Sequence, residues 1–561
     1  MCVKEKSLKI SIFPRYQEVA SDTNVSSYSL VNATVSTHPT TGTSTKSTTS
    51  TQLLTTTRKL PVFERHTLEH QKEIKLQTDN LIKLVPSWQQ ARESLLKPNK
   101  NSLINETNSN SDPLDIDSIL SNPLLIQKYK LAKYELIELK NLIFLNRTVN
   151  KDQIFYLGQN IGQIPSGNKT ANFYNARDET NNFGFDFKSL PGRVAKGGYK
   201  LNLHDHILYR YEILKYISEG TFGQVVIALD HSKVPPRKTA LKIMNAKKNL
   251  GSYSNFEYYA VKFIDRHVSK STADSNFIVG SYQLHENFRN HRIFVYELLG
   301  QDLYKSYPHS QFPVTSYQQK NVTLLPWQEL KTIAWDLLEG LAVLDRIELV
   351  HNDLKPQNIL LTDKSYPFVK IIDYGLGCYR FENFSTNPEE KIHMKCPKHY
   401  VVTRNYRSPE VIFGLNYTTR SDMWSFAVIL AELRSKHYLF VGDHETDLLG
   451  NIMEVLGLPP VDMVKNSKYK KVYFESFNYK NKRHHINKPY SRNLETELIL
   501  QFDSENDEFE NNQRRLMCDL LTKILQWNPN DRLSALQAMA HPWFLEFAND
   551  RFDKIVSEES Q

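Results

Sequence analysis

HNDLKPQNILLTDKSYPFVKIIDYG, His351 to Gly375, sets Asp353, Lys355, Asn358 and Asp373 between apolar runs. Apolar runs seek burial, and charged or amide groups beside them stay only when something binds them. ELV precedes the first acid and FVKII precedes the last, so both acids are predicted at the ends of short strands. What these groups hold decides how the rest of the chain is read.

Upstream, ISEGTFGQVV (Ile217 to Val226) lies between two strand-like runs, YEILKYI and VVIALDH. A glycine turn between strands lets backbone N–H groups approach phosphate oxygens, because no Cβ intervenes. Ile217, Ser218, Gly220, Phe222, Gly223 and Val225 are the candidate nucleotide contacts, with Ser218 where a first glycine is usual. No GxxxxGK[ST] loop occurs. The next strand, TALKIM, carries Lys242 among apolar residues, which is costly unless a fixed anion such as a phosphate meets it.

Phosphoryl transfer from ATP needs few protein groups. Asp353 would orient the attacking hydroxyl and accept its proton. Asn358 and Asp373 offer the hard oxygens that Mg²⁺ prefers. Lys355 would set a cation beside the γ-phosphate. The set resembles the H-R-D…N, D-F-G and V-A-I-K elements of protein kinases, and these roles rest on that resemblance as well as on the chemistry. RSPE (Arg407 to Glu410) resembles a further kinase element, whose Glu410 would pair with Arg532. Asp422 resembles the helix acid that braces the catalytic loop.

The resemblance narrows over YEILKYISEGTFGQVVIALDH, YELLGQDLY, LVHNDLKPQNILL, TRNYRSPEVIFG, DMWSFAVILAEL and MEVLGLPP. These are similar to the dual-specificity tyrosine-phosphorylation-regulated kinases of the CMGC group. HDHILYRYEIL resembles that family's box before the catalytic domain. LAKYELIEL and DQIFYLGQN resemble the accessory region of its class II members. The resemblance implies ATP and Mg²⁺, transfer to Ser/Thr of protein substrates, and autophosphorylation of Tyr400. It implies that phosphorylated Tyr400 pairs with Arg404 and Arg407, and that Arg404 favours proline after the target residue. Glu297 to Gly300, with Glu297 and Leu299 as adenine contacts, would be the hinge, and Tyr296 the bulky residue behind it. One departure bears on activity. FEYYAVKFI aligns best with Ala260 where a glutamate should meet Lys242, and Glu257 lies one turn earlier on the same face. The alternative reading is therefore a pseudokinase scaffold that binds nucleotide or partners with little turnover.

The expected fold is α+β and bilobal, a small β-rich lobe at 211–299 and a large helical lobe at 300–544. An accessory region and pre-kinase box occupy 123–210, and a tail 545–561. Residues 1–122 are read as mostly disordered, because stretches such as Ser21 to Thr57 are dominated by Ser and Thr and carry too few large apolar groups to offset ordering entropy. QIFYLG (Gln153 to Gly158) is predicted as a short strand. The chain has 561 residues and a net charge of +8, a weak pointer to acidic partners. Basic runs KYKK and NKRHH are read as a solvated insert rather than a nucleic-acid site. No 18-residue apolar span or signal-like start is present, and Cys2 excludes N-myristoylation. Four widely spaced cysteines argue against a disulfide frame or a zinc site and for the cytoplasm or nucleus. Oligomeric state is open.

Overall fold

The structure is a computed structural model. It describes residues 27–28, 112–128, 154–157, 203–220, 223–245, 251–268, 277–279, 283–288, 291–308, 325–362, 368–379, 403–475, 478–480, 488–498, 508–548 and the single positions 136, 139, 199, 201 and 396. Most of the Ser/Thr-rich segment and of LAKYELIEL, and NKRHH, Phe222 and Tyr400, lie outside these residues.

Period-2 patterning builds the small lobe. Its strands are β1 (His206–Ile207), β2 (Tyr211–Glu219), β3 (Gly223–Asp230), β4 (Arg237–Met244), β5 (Gln283–Phe288) and β6 (His291–Glu297). They form one antiparallel sheet in the order β1-β2-β3-β4-β6-β5. In TALKIM, Leu241 and Ile243 point to one face and Lys242 to the other, as alternation requires. The first face is covered by a separate cluster that includes Ile116, Ile119, Leu139, Ile154, Leu157, Tyr199 and Tyr209. Described residues ahead of the sheet are thus part of the small lobe's outer core.

Two short helices are described ahead of the pre-kinase box. Helices α1 (Ile116–Ser121) and α2 (Pro123–Lys128) precede the catalytic domain. The Asp115 carboxylate caps α1 by accepting from Ser118 N at 3.1 Å. Ile116 and Ile119, one turn apart, are both buried, so even this short piece has an apolar face. Residues 154–157, the described part of QIFYLG, do not join a sheet. Phe155 N and Tyr156 N both donate to Tyr209 O, at 2.8 and 2.9 Å, and fix this segment to the pre-kinase box. The box is pinned in turn by Arg210, which forks onto both oxygens of Asp230 at 2.7 Å.

Helix α3 (Gly251–His267) packs on the other face of the sheet. The large lobe is built around α4 (Trp327–Arg346) and α5 (Arg420–Ser435), with α6 (Glu445–Leu456) and α7 (Glu508–Ile524) around them. Trp335, Trp424 and Trp543 are fully buried there. Two short antiparallel ladders lie in the large lobe: β7 (Leu349–Val350) pairs with β10 (Cys378–Tyr379), and β8 (Ile359–Leu361) pairs with β9 (Val369–Ile371). They bring the two ends of the His351–Gly375 stretch together. No described helix is long and apolar enough to cross a membrane.

Glu432 is fully buried on α5, accepting from Tyr406 Oη at 2.9 Å and Leu439 N at 3.3 Å. Burial pushes its carboxyl up to about 8, against the pull of those two donors. The folded chain therefore holds this proton more tightly than the unfolded one. Its contribution to stability is full below the ordinary value of 4.5 and is lost as pH rises through about 8. Glu432→Gln is expected to flatten that part of the pH dependence. Urea midpoints of both proteins across the window check it, and parallel curves would refute it.

Candidate active site

The cleft face of the sheet positions the nucleotide end. Val225, Lys242 and Phe294 are directly paired across β3, β4 and β6, so their side chains share one face. Ser218 sits opposite Val225, and Gly220 N donates to Gly223 O at 2.9 Å to close the turn. The two glycines differ in cause. A Cβ on Gly223 would lie 2.5 Å from Ile243 O, so strand packing alone demands glycine there. A Cβ on Gly220 would meet nothing within 4 Å among the described residues, so none of them demands a glycine there. Ile217 is exposed on the same hairpin.

Lys242 Nζ lies 2.7 Å from Glu257 Oε1 and 2.8 Å from Asp373 Oδ1. Burial alone would lower its ammonium, but the charges of Asp373 and Glu257 outweigh that and hold it above the usual lysine range. Burial would likewise raise the Asp373 carboxyl, yet Lys242 keeps it at about 2. Glu257, not the Ala260 position favoured by alignment, is thus the α3 acid facing Lys242. Ala260 faces the start of the activation segment: its Cβ is 3.5 Å from where a Cβ on Gly377 would sit.

Asp353, Lys355 and Asn358 converge on the loop between β7 and β8. Asp353 Oδ1 accepts from Thr403 Oγ1 at 2.7 Å, and Oδ2 from Lys355 Nζ at 2.6 Å and Asn358 Nδ2 at 3.1 Å. Lys355 Nζ also reaches Thr403 Oγ1 at 3.2 Å. The loop is braced from below: Asp422 on α5 accepts from His351 N at 2.8 Å and Asn352 N at 3.1 Å. Burial is the larger influence on Asp422 and raises it to about 6, with the His351 charge and both N–H groups opposing. Asn352 and Asp373 hold φ of 66° and 68°, a region that Asn and Asp tolerate better than most residues. Tyr374, fully buried, donates its hydroxyl to Ile371 O at 3.2 Å, so tyrosine fits where a phenylalanine is usual.

At the far wall, Tyr296 Oη donates to Glu257 Oε1 at 3.4 Å. Gly300 N donates to Leu361 O at 2.8 Å, and Leu299 packs against the large-lobe core. Lys370 Nζ contacts Glu297 Oε1 at 2.5 Å, an ion pair fixing the hinge to β9 that sequence reasoning did not find. Thr403 and Asn352 were also missed as participants. Arg404 and Arg407 lie together at the N-terminus of α6, where Glu445 Oε1 is 3.7 Å from Arg404 Nε and 3.0 Å from Arg407 Nη1.

The oxygen donors fit a divalent cation. Asn358 spends its amide nitrogen on Asp353, and Asp373 spends Oδ1 on Lys242 and Gly375 N. Asn358 Oδ1 and Asp373 Oδ2 accept no hydrogen bond from a described residue. No cluster of three or more His, Cys, Asp or Glu suited to a metal occurs among the described residues. A hard cation held by two oxygens plus phosphates needs no such cluster.

The cysteine expectation is corrected. Cys378 and Cys396 form a disulfide, with Cα atoms 4.8 Å apart, because the chain returns past β10 after 18 residues. Cys518 is free and half-buried.

Comparisons with known proteins agree with the geometry. Residues 211–544 match the family model for the protein kinase domain. The chain is 34% identical to serine/threonine-protein kinase ppk5 of Schizosaccharomyces pombe, over 62% of this chain and 37% of that protein. It is 33% identical to human dual specificity tyrosine-phosphorylation-regulated kinase 4, over 63% and 61% of the two chains. It is 30% identical to the DYRK-family kinase pom1 of S. pombe, over 74% and 33%. The match thus spans less than two thirds of each of these relatives.

Proposed function

We propose, for a chain that belongs to the protein kinases and within them to the dual-specificity tyrosine-phosphorylation-regulated family, that it transfers the γ-phosphoryl group of ATP to Ser or Thr of protein substrates and to its own Tyr400. The observation that carries this reading is Lys242 bonded at once to Glu257 and Asp373, beside a catalytic loop with Asp353, Lys355 and Asn358 in contact. That link removes the main ground for a scaffold without turnover, which was the lack of a glutamate at Ala260.

In this reading Lys242 holds the α- and β-phosphates, oriented by Glu257. The Gly220 turn covers the phosphates, and the backbone from Glu297 to Leu299 takes the adenine. Asp353 orients the substrate hydroxyl and accepts its proton, and Lys355 steadies the transferring group from the same side. Asn358 and Asp373 would hold Mg²⁺, which would supply positive charge against the phosphates. Thr403, hydrogen-bonded to Asp353 and Lys355, holds both side chains in place beside the transferring group.

Phosphorylated Tyr400 would bring about −1.5 to −2 charge to Arg404 and Arg407. Glu445 already occupies both, so the phosphate would compete with or join it. Arg404 would confer a preference for proline after the target. The residues before Tyr211 that share the small lobe's outer core would serve as the accessory region. We place the protein in the cytoplasm or nucleus, where ATP and protein substrates meet, and expect no nucleic-acid partner: KYKK runs into a short helix whose Tyr473 is buried.

Expression in bacteria with phosphosite mapping tests the reading. Phosphate on Tyr400 in the parent, absent from Asp353→Asn, is expected, together with faster labelling of Ser-Pro than Ser-Ala peptides. Folded protein with no phosphate and no peptide labelling would return the chain to the scaffold reading.

A further inference from the structure

We propose that Cys378 and Cys396 are a reversible thiol–disulfide pair that couples the activation segment to the catalytic loop, the disulfide form favouring the assembled site. This rests on the kinase reading of that site. Three observations carry it. The bond joins β10, five residues after Asp373, to a position four residues before Tyr400. Cys378 is paired with Val350, next to His351, so the tether is anchored on the catalytic loop's own ladder. Asn352, the neighbour of Asp353, donates Nδ2 to Cys378 Sγ at 3.0 Å and to Leu376 O at 3.1 Å. The disulfide is present in the same structure as the Lys242–Glu257 pair and the Asp353–Thr403 bond.

The geometry also gives the exchange a direction. Cys378 is fully buried, whereas Cys396 is half-exposed. A thiolate from a dithiol reductant therefore attacks Sγ of Cys396. A mixed disulfide forms there as the Cys378–Cys396 bond breaks, and the electron pair leaves on Sγ of Cys378. The Asn352 N–H stabilises that leaving thiolate. The reductant's second thiol then displaces Cys396, so the dithiol gives up two electrons and two protons and becomes a cyclic disulfide. In reverse, hydrogen peroxide takes two electrons and two protons from the two thiols and becomes two waters. In reducing compartments such bonds are typically transient and redox-sensing, which suits a pair beside a catalytic loop.

The full-length protein would be treated with hydrogen peroxide or with dithiothreitol, then read three ways. Differential alkylation and mass spectrometry should find Cys378 and Cys396 linked after peroxide and separately alkylated after dithiothreitol. Trypsin should cut between Arg380 and Lys398 severalfold more slowly in the oxidised form. Peptide phosphorylation should be severalfold faster in the oxidised form, and Cys396→Ser should match reduced parent under both treatments. Absence of the linked peptide, or equal proteolysis of the two forms, overturns the tether without reference to activity. A linked, protease-resistant form with activity equal to or below the reduced form overturns the coupling. Loss of activity in both forms, with the proteolysis difference kept, counts against the kinase reading and leaves the tether standing.

Discussion

Asp353→Asn is expected to lower kcat for peptide phosphorylation by about 10²- to 10⁴-fold, the range for loss of a positioned general base, while the KM for ATP stays within about twofold. The substitution should leave the loop folded. Asp353 accepts from four donors: Thr403 N and Oγ1 on one oxygen, Lys355 Nζ and Asn358 Nδ2 on the other. An Asn side chain can keep its oxygen toward Lys355 and Asn358 and donate its NH₂ to Thr403 Oγ1, giving up only the longer bond from Thr403 N. What it cannot do is carry the negative charge that takes the substrate proton. Steady-state kinetics with nucleotide titration separate the two effects. A kcat within tenfold of the parent would show that proton acceptance by Asp353 does not limit the reaction, and the role would have to move elsewhere in the cleft.

The catalytic residues were legible because their chemistry is local. Asp353, Lys355, Asn358 and Asp373 lie within 21 residues, and two short strands suffice to bring them together. The lobes were legible for a similar reason: the switch from period 2 to period 3.6 is written along the chain. Glu257 was not settled by sequence. Glu257 and Ala260 share a helix face, and which of them meets Lys242 depends on how far α3 slides along the sheet. Packing of buried residues such as Val261, Phe263 and Ile264 sets that slide, and no local pattern encodes it. Lys370 and Glu297 are 73 residues apart, and their pairing follows from the hinge crossing over β9. Cys378 and Cys396 showed no diagnostic spacing, since a disulfide depends on Cα separation in space and not on the number of residues between. Helix α1 was not read from the sequence because six residues are too few for periodicity, although Asp115 as a cap was readable.

Arg532→Leu is expected to cost about 3–5 kcal/mol of stability, the range for breaking a buried ion pair by removing one partner. Arg532 and Glu410 side chains are 0% and 1% exposed, so the charge left on Glu410 has no access to water. The guanidinium forks onto both Glu410 oxygens at 2.7 and 2.6 Å and also donates to Gln526 O, Arg420 O and Trp527 O. Leucine leaves all of these acceptors without their donor. A loss of this size is a large share of the 5–15 kcal/mol that holds a typical domain folded, so poor accumulation is expected in cells. Urea unfolding measures it, and a second variant apportions it. Glu410→Leu with Arg532→Leu removes both charges, and replacing a buried pair whole is often near neutral. The double variant should therefore recover part of the loss. If it is as unstable as the sum of the two single changes, the carbonyl bonds and not the ion pair hold this corner. The consequence would then reach the active site, because Arg420 O opens α5 two residues before Asp422, and Asp422 holds the catalytic loop by His351 N and Asn352 N. In that case Arg532→Lys, which keeps the charge but not the fork, should lower kcat as well as stability.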